Sequence, residues 1–253
     1  MSTRPVQKTG KYLYAIVPVT EQAQRYGPIG IDGGEVYSIC DGHVSAVVSD
    51  IPNAKIRPER RHLASHHVVL KRLLSEGSLL PMAFGIIADG PKALQEVLHR
   101  HQAALVQQLK RVAGKMEMGL RVSWDVPNIF EFLVGTHEEL RALRDTVFHG
   151  GREPSQDDKI ELGRLFERML NEDRAALTAK VVTVLGPHCA AIKENKPRNE
   201  REVMSLACLI RRAAQKEFEE AVFEAAKSFD NHYAFDFNGP WPPHNFVEME
   251  LQM

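Results

Sequence analysis

Lys115-Met116-Glu117-Met118-Gly119-Leu120-Arg121-Val122-Ser123-Trp124-Asp125-Val126 alternates without a break. Met116, Met118, Leu120, Val122, Trp124 and Val126 share one face; Lys115, Glu117, Arg121, Ser123 and Asp125 share the other. A period of two over this length predicts a half-buried strand. It also divides the chain. Before it, residues 1–112 carry 14 Lys+Arg and 9 Asp+Glu, a net of +5; after it, residues 113–253 carry 18 and 24, a net of −6. A chain of 253 residues is long enough for two modest cores. The expected organisation is an N-terminal domain over 1–112, a C-terminal domain over 113–237 and a tail over 238–253.

Upstream, Lys11–Val19 is rich in aromatic and β-branched residues and reads as a strand. Arg25–Gly34 reads as a loop. Val36–Cys40 and His43–Ser49 flank Asp41-Gly42, which predicts a hairpin with a type I′ turn. A helix is expected from Pro58 to about Ser75, stopped by Gly77, with Leu63, His67, Leu70 and Leu74 inward. Leu79–Ile87 reads as a buried strand broken locally by Pro81 and Gly85. A second helix opens at Pro91 and ends near Gly114, its stripe including Leu94, Leu98, His101 and Leu105. Strands, a hairpin and two helices make an α/β unit.

Downstream, two short helices (128–135 and 137–148) precede a loop at 150–154. A long helix then runs from Asp157 to Leu185, with Leu162, Phe166, Met169, Leu177, Val181 and Val184 on one face. The charged stretch 193–202 reads as exposed. Val203–Ile210 is apolar on both faces and suits a central strand. A helix from Arg211 to Phe229, a strand at His232–Phe237 and an extended tail with Pro240, Pro242 and Pro243 follow. Strands separated by helices predict an α+β fold of ferredoxin-like type in this second unit.

Candidate chemistry is sparse. His62 and His66 stand at i, i+4, a spacing that presents two imidazoles to one metal, but Leu63 stands where HExxH needs Glu and no third ligand is marked. The reading is structural or surface histidines, with His67 and His101 at the core edge. Gly27, Gly30, Gly33 and Gly34 precede a strand rather than a helix N-terminus and lack a Gly-Lys-Ser/Thr ending, so they read as a turn and not a phosphate loop. Cys40, Cys189 and Cys208 are odd in number and form no CxxC pair, which argues against a zinc site or disulfide framework and for a reducing compartment. Glu138-Glu139 and Asp157-Asp158 sit at helix starts, where they complement the dipole. Arg60-Arg61 and Arg211-Arg212 lack the aromatic interleaving of a nucleic-acid surface. The polar N-terminus has no apolar leader core, Leu251-Gln252-Met253 is no lipidation signal, and no apolar run is long enough to span a bilayer. No cofactor, metal, nucleic acid or membrane partner is expected.

The tail Gly239-Pro240-Trp241-Pro242-Pro243-His244-Asn245-Phe246-Val247 resembles the C-terminal signature of the GvpF/GvpL family of gas vesicle proteins, with His244 where the family usually has Tyr. Tyr12–Val17, Ala46–Asp50, His66–Leu70 and Leu80–Gly85 resemble further stretches of that family in the same order, on its GvpF side. The resemblance implies a two-domain α/β protein of the gas vesicle, within the cytoplasm and without established catalytic residues. It further implies binding of the major shell protein GvpA, and of other accessory proteins, during assembly. Shell subunits that face a gas space carry apolar surfaces and aggregate when free, so a chaperone-like cover makes physical sense. Trp241, with Pro242, Pro243 and Phe246, is the candidate contact. The competing expectation, and the preferred one, is that the tail straps back on its own domain and buries the Trp241 ring between strands. The competing function is an enzyme or a small-ligand regulatory module with a cryptic interdomain site.

Overall fold

The computed structural model describes residues 9–149 and 153–248. The expected readings over the N-terminal eight residues, over 150–152 and over 249–253 lie outside the described residues. The fold is α+β with two sheets. The described residues group into two compact units, 9–117 with 240–248, and 118–239.

In the first unit, strands β1 (Thr9–Pro18), β2 (Arg25–Gly27), β3 (Val36–Cys40), β4 (Val44–Pro52), β5 (Leu80–Pro81) and β6 (Ile87–Ala88) make one sheet. Its order is β2-β3-β4-β1-β5, with β6 also paired to β1. The stretch 25–34 is thus not all loop: it adds an edge strand and a 3-10 turn at Ile31–Gly33. β1 is central, and Tyr12 through Ile16 are fully buried. A register shift between Leu13 and Ala15 turns the strand. It lets Leu13 and Ile16 share one face despite their odd spacing. That face joins Val44, Ala46, Val48, Leu94, Leu98, Leu105 and Leu109 in one core cluster.

The β3–β4 hairpin turns on Gly42-His43 rather than Asp41-Gly42. The Asp41 N–H donates to Val44 O at 2.9 Å, and Gly42 alone has positive φ (66°) there. That is the φ pattern of a II′ turn, which needs glycine only at its first central position. The expected strand at 79–87 is interrupted. β5 and β6 flank a bulging segment held by Met82 N–H on Tyr14 O and Leu13 N–H on Ile86 O, both 2.9 Å. Gly85 has φ 92° in this segment.

Helix α1 (Arg60–Glu76) ends at Gly77 as expected, but its inward stripe starts one residue earlier: His62, His66, Val69, Leu70, Leu73 and Leu74 are buried, and His67 is exposed. The expected helix after Pro91 is two, α2 (Pro91–Arg100) and α3 (Gln102–Val112), bent at His101 with φ −101° and ψ 8°. No proline or glycine marks that bend.

The second unit follows the order β7 (Lys115–Trp124), α4 (Ile129–Thr136), α5 (Glu138–His149), α6 (Gln156–Leu185), β8 (Ala191–Asn195), β9 (Glu202–Arg211), α7 (Gln215–Ala226), β10 (Tyr233–Trp241). The sheet order is β10-β7-β9-β8. β8 pairs antiparallel with β9. Trp124 N–H reaches Arg201 O and Asp125 N–H reaches His232 O, so the end of β7 meets the starts of β9 and β10 and those pairs are antiparallel too. A β-α-β-β-α-β path with strand order 4-1-3-2 is the ferredoxin-like arrangement.

Two expectations need correction here. The stretch 193–202 holds most of β8, whose charged residues had disguised it. β10 continues through Asn238 to Trp241, so what read as the start of a tail is still strand. Along α6, buried Leu165, Leu170, Thr178 and Leu185 join Leu162, Met169 and Val181, while Phe166, Leu177 and Val184 are only half-buried. Its start is fixed by a capping box: Ser155 Oγ accepts from Asp158 N–H, and the Asp158 carboxylate accepts from Ser155 N–H.

Candidate partner-docking site

Alternation along β7 places Glu117 on the polar face, yet it is only 6% exposed. Burying a carboxylate is costly unless its oxygens are paired. Glu117 satisfies this through Asn245, 128 residues away: Oε2 accepts the Asn245 main-chain N–H at 2.9 Å and Oε1 accepts its Nδ2–H at 2.7 Å. The segment so held is preshaped. Proline fixes φ at 242 and 243. His244 N–H then bonds Pro242 O (2.7 Å) and Phe246 N–H bonds Pro243 O (3.1 Å), closing a 3-10 turn over His244–Phe246. Pro242, Pro243 and Phe246 are buried, and Val247 packs against the first unit's core cluster. At the surface Arg111 Nη1 lies 3.6 Å from the Glu248 carboxylate. The segment 242–248 is therefore a strap on the first unit. Glu117→Ala is expected to cost about 2 kcal/mol by leaving these amides without their charged acceptor. The check is thermal melting combined with hydrogen exchange, in which the amides of 242–248 lose protection ahead of β1 and β4.

Trp241 does not follow its neighbours inward. The residue is 44% exposed, so the ring is not buried between strands as the preferred reading of the tail expected. It stands at the end of β10, immediately before the buried Pro242, with exposed His244 three residues on. An indole fixed on a proline-stiffened segment offers a large apolar contact at little conformational cost.

The histidines of α1 turn to separate partners. His62 Nδ1 faces Arg57 O at 3.0 Å and Nε2 faces the Asp32 carboxylate at 3.2 Å. Asp32 itself has φ 52°. His66 is 4% exposed; its Nε2 faces Met82 O at 3.2 Å and its Nδ1 faces Tyr12 Oη at 2.9 Å. A carbonyl only accepts, so the neutral ring carries its proton on Nε2 and accepts the Tyr12 O–H at Nδ1. Tyr12 Oη in turn accepts Gly85 N–H at 3.2 Å. Burial pushes the His66 imidazole down to about 4 and raises the Tyr12 phenol. His62 and His66 are thus tied to different oxygens, and among the described residues no group of three or more His, Cys, Asp or Glu is placed to hold a metal ion.

The remaining candidates take structural places. Gly30, Gly33 and Gly34 shape the 3-10 turn ahead of β3. Cys40 Sγ accepts from Ser45 Oγ at 3.0 Å, and Cys208 is buried in β9. Glu139 pairs with Arg168 at 2.6 Å. Sequence reasoning missed Glu117 and Asn245, and no local signal announces them: the pairing joins two ends of the chain.

Taken together, these features define an α+β protein with two sheets and an exposed aromatic beside a strapped tail. The family model described as gas vesicle synthesis protein GvpL/GvpF matches residues 10–248. The chain belongs to the GvpL/GvpF family of gas vesicle proteins. It is 26% identical over 242 residues to gas vesicle protein F of Dolichospermum flosaquae, covering 94% of this chain and 98% of that one. It is 24% identical to gas vesicle protein L1 of Halobacterium salinarum, covering 94% and 90%. The crystal structure of GvpF from Anabaena sp. PCC7120 superposes with a TM-score of 0.83 at 25% identity, covering 96% of this chain and 99% of that one. GvpF from Microcystis aeruginosa shares the fold, with a TM-score of 0.80 at 21% identity and coverage of 95% and 99%. No helix among the described residues is long and apolar enough to cross a membrane.

Proposed function

We propose that this chain is a non-enzymatic assembly factor of gas vesicles, resident at the vesicle within the cytoplasm. It binds the major shell protein GvpA, alongside other accessory proteins, and keeps GvpA from aggregating while shells nucleate. Membership of the GvpL/GvpF family supports the vesicle role. The observation that carries the contact is Trp241: it stays 44% exposed although Pro242, Pro243 and Phe246 beside it are buried. Exposed, rigidly held tryptophans dominate binding energies where they occur in interfaces.

Right-angle light scattering of freshly diluted GvpA tests this, read with and without the full chain. The wild type should suppress scattering at near-stoichiometric amounts. Trp241→Ala should bind GvpA about tenfold more weakly, a loss of roughly 1.4 kcal/mol, while melting within a degree or two of the wild type. A variant that melts several degrees lower with unchanged GvpA affinity makes Trp241 a fold residue only. Wild-type protein that neither binds GvpA nor changes its scattering removes the chaperone reading altogether.

A further inference from the structure

The two edges of the second unit's sheet are built differently. β8 is short, five residues, and carries exposed Lys193 and Glu194, the usual defence of an edge against strand addition. Over Tyr233–Phe237, β10 has one charge, Asp236, whose carboxylate faces Arg121 at 4.0 Å. The Asp125 N–H to His232 O bond (2.6 Å) sets the phase of the β7–β10 ladder. In that phase Ala234 and Asp236 turn their main-chain groups toward β7. Phe235 and Phe237 turn theirs outward, at an edge that no other strand among the described residues pairs.

A lip of aromatic side chains runs beside that edge. Phe229 meets Tyr233 and Phe235, each at 5.0 Å between centroids, and Phe223 of α7 stands edge-on to Phe237 at 6.1 Å. Phe223 is 62% exposed, more than any other large apolar side chain among the described residues. Around it α7 is acidic: within Gln215–Ala226, Glu217, Glu219, Glu220 and Glu224 outnumber the one cation, Lys216.

We propose that the outer edge of β10, with Phe223 and Phe237 as its lip, docks an extended segment of a different protein that has apolar residues at alternate positions and lysine or arginine on its flank. The outward main-chain groups of Phe235 and Phe237 supply the ladder, the aromatic lip takes the alternate side chains, and the glutamates of α7 select the charge. A second copy of this chain is the poorer occupant, because edge-to-edge pairing brings two acidic α7 helices side by side. Phe223→Ser leaves Trp241 in place, so the two contacts are tested by different variants.

The probe is a fluorescein-labelled nine-residue peptide alternating valine with lysine or threonine, titrated into the full chain by anisotropy at low and physiological salt. Amide exchange is followed over Tyr233–Phe237 in parallel. Binding should slow exchange at Phe235 and Phe237 and weaken with salt. It should drop about tenfold in Phe223→Ser, whose side chain is too exposed to support the fold. A proline at the central valine should abolish it. Equal binding of the same peptide with glutamate for lysine overturns the proposal, as does binding that leaves Phe235 and Phe237 exchange unchanged. So does a peptide-free dimer that Phe223→Ser dissociates, which makes the occupant a second copy.

Discussion

Gly30→Ala is expected to destabilise the first unit by about 3 kcal/mol and to lower its melting temperature by more than any other single methyl group added to the loop before β3. Backbone strain is not the cause: Gly30 has φ −76° and ψ −174°, which any residue adopts. Space is the cause. A Cβ at Gly30 would lie 2.7 Å from Gly34 O, 2.7 Å from Tyr14 Oη and 3.0 Å from Val36 Cγ2. None of these has room to retreat. Gly34 O accepts Gly30 N–H at 2.9 Å. Tyr14 is fully buried; its hydroxyl accepts Ile31 N–H at 2.8 Å and pairs with Ser49 Oγ at 2.8 Å. One of those bonds has to break, leaving a buried polar group unpaired. Gly77→Ala is the control, since a Cβ there meets nothing within 4 Å. Urea melts of both variants decide it: equal midpoints would mean that the 25–34 loop yields freely and that the Tyr14 network does not anchor it.

The second large effect is acid destabilisation through His66. In the folded chain burial holds this imidazole at about 4, against 6.5 for an ordinary histidine. Between those values the unfolded chain carries a proton that the folded chain does not, so stability rises with pH across this window. The contribution is complete above pH 6.5 and is lost progressively as pH falls toward 4, a change of about 3 kcal/mol. Below 4 both states are protonated and nothing further is lost. The structural reason is burial: the ring sits among Tyr12, Tyr14 and Phe84, away from the water that would solvate its charge, with His67 and His244 adding to the effect. His66→Gln should be less stable at pH 7 but should flatten this limb of the stability profile. An unchanged limb in that variant would assign the acid sensitivity to carboxylates instead.

How far these features were legible in the chain depends on how local their causes are. β7 was plain because every second residue from Met116 to Trp124 is apolar and buried. α6 was plain because its apolar spacing, the Asp157-Asp158 pair at its start and the stop after Leu185 agree; the Ser155 cap came only with the structure. β8 was hidden because Lys193, Glu194 and Asn195 suit the solvent side of an edge strand as well as they suit a loop. The α1 stripe was set one residue late because Leu63 and His67 were aligned with Leu70 and Leu74, while His62 and His66 read as structural or surface histidines. Their burial comes from Asp32, Tyr12 and Met82, which lie elsewhere in the sequence. The Glu117 grip on Asn245 had no local sign of any kind, and the same holds for the exposed placing of Trp241 just before the buried Pro242 and Pro243. The pattern Pro-Trp-Pro-Pro showed that the tail was shaped, not where its ring would point.

The strap also sets an order of events during synthesis. The first unit takes its closing piece, Phe246 and Val247, from residues that leave the ribosome only after all of 118–239 has been made. Until then β1, β4, α2 and α3 are present with part of their apolar surface uncovered and with the Glu117 carboxylate lacking its amide partners. A nascent chain in this state is the aggregation-prone form of the protein. A fragment that ends just after Glu117 is the same form made permanent. Halving the chain for study therefore calls for residues 240–248 to be added back to the first piece, by a linker or as a separate peptide.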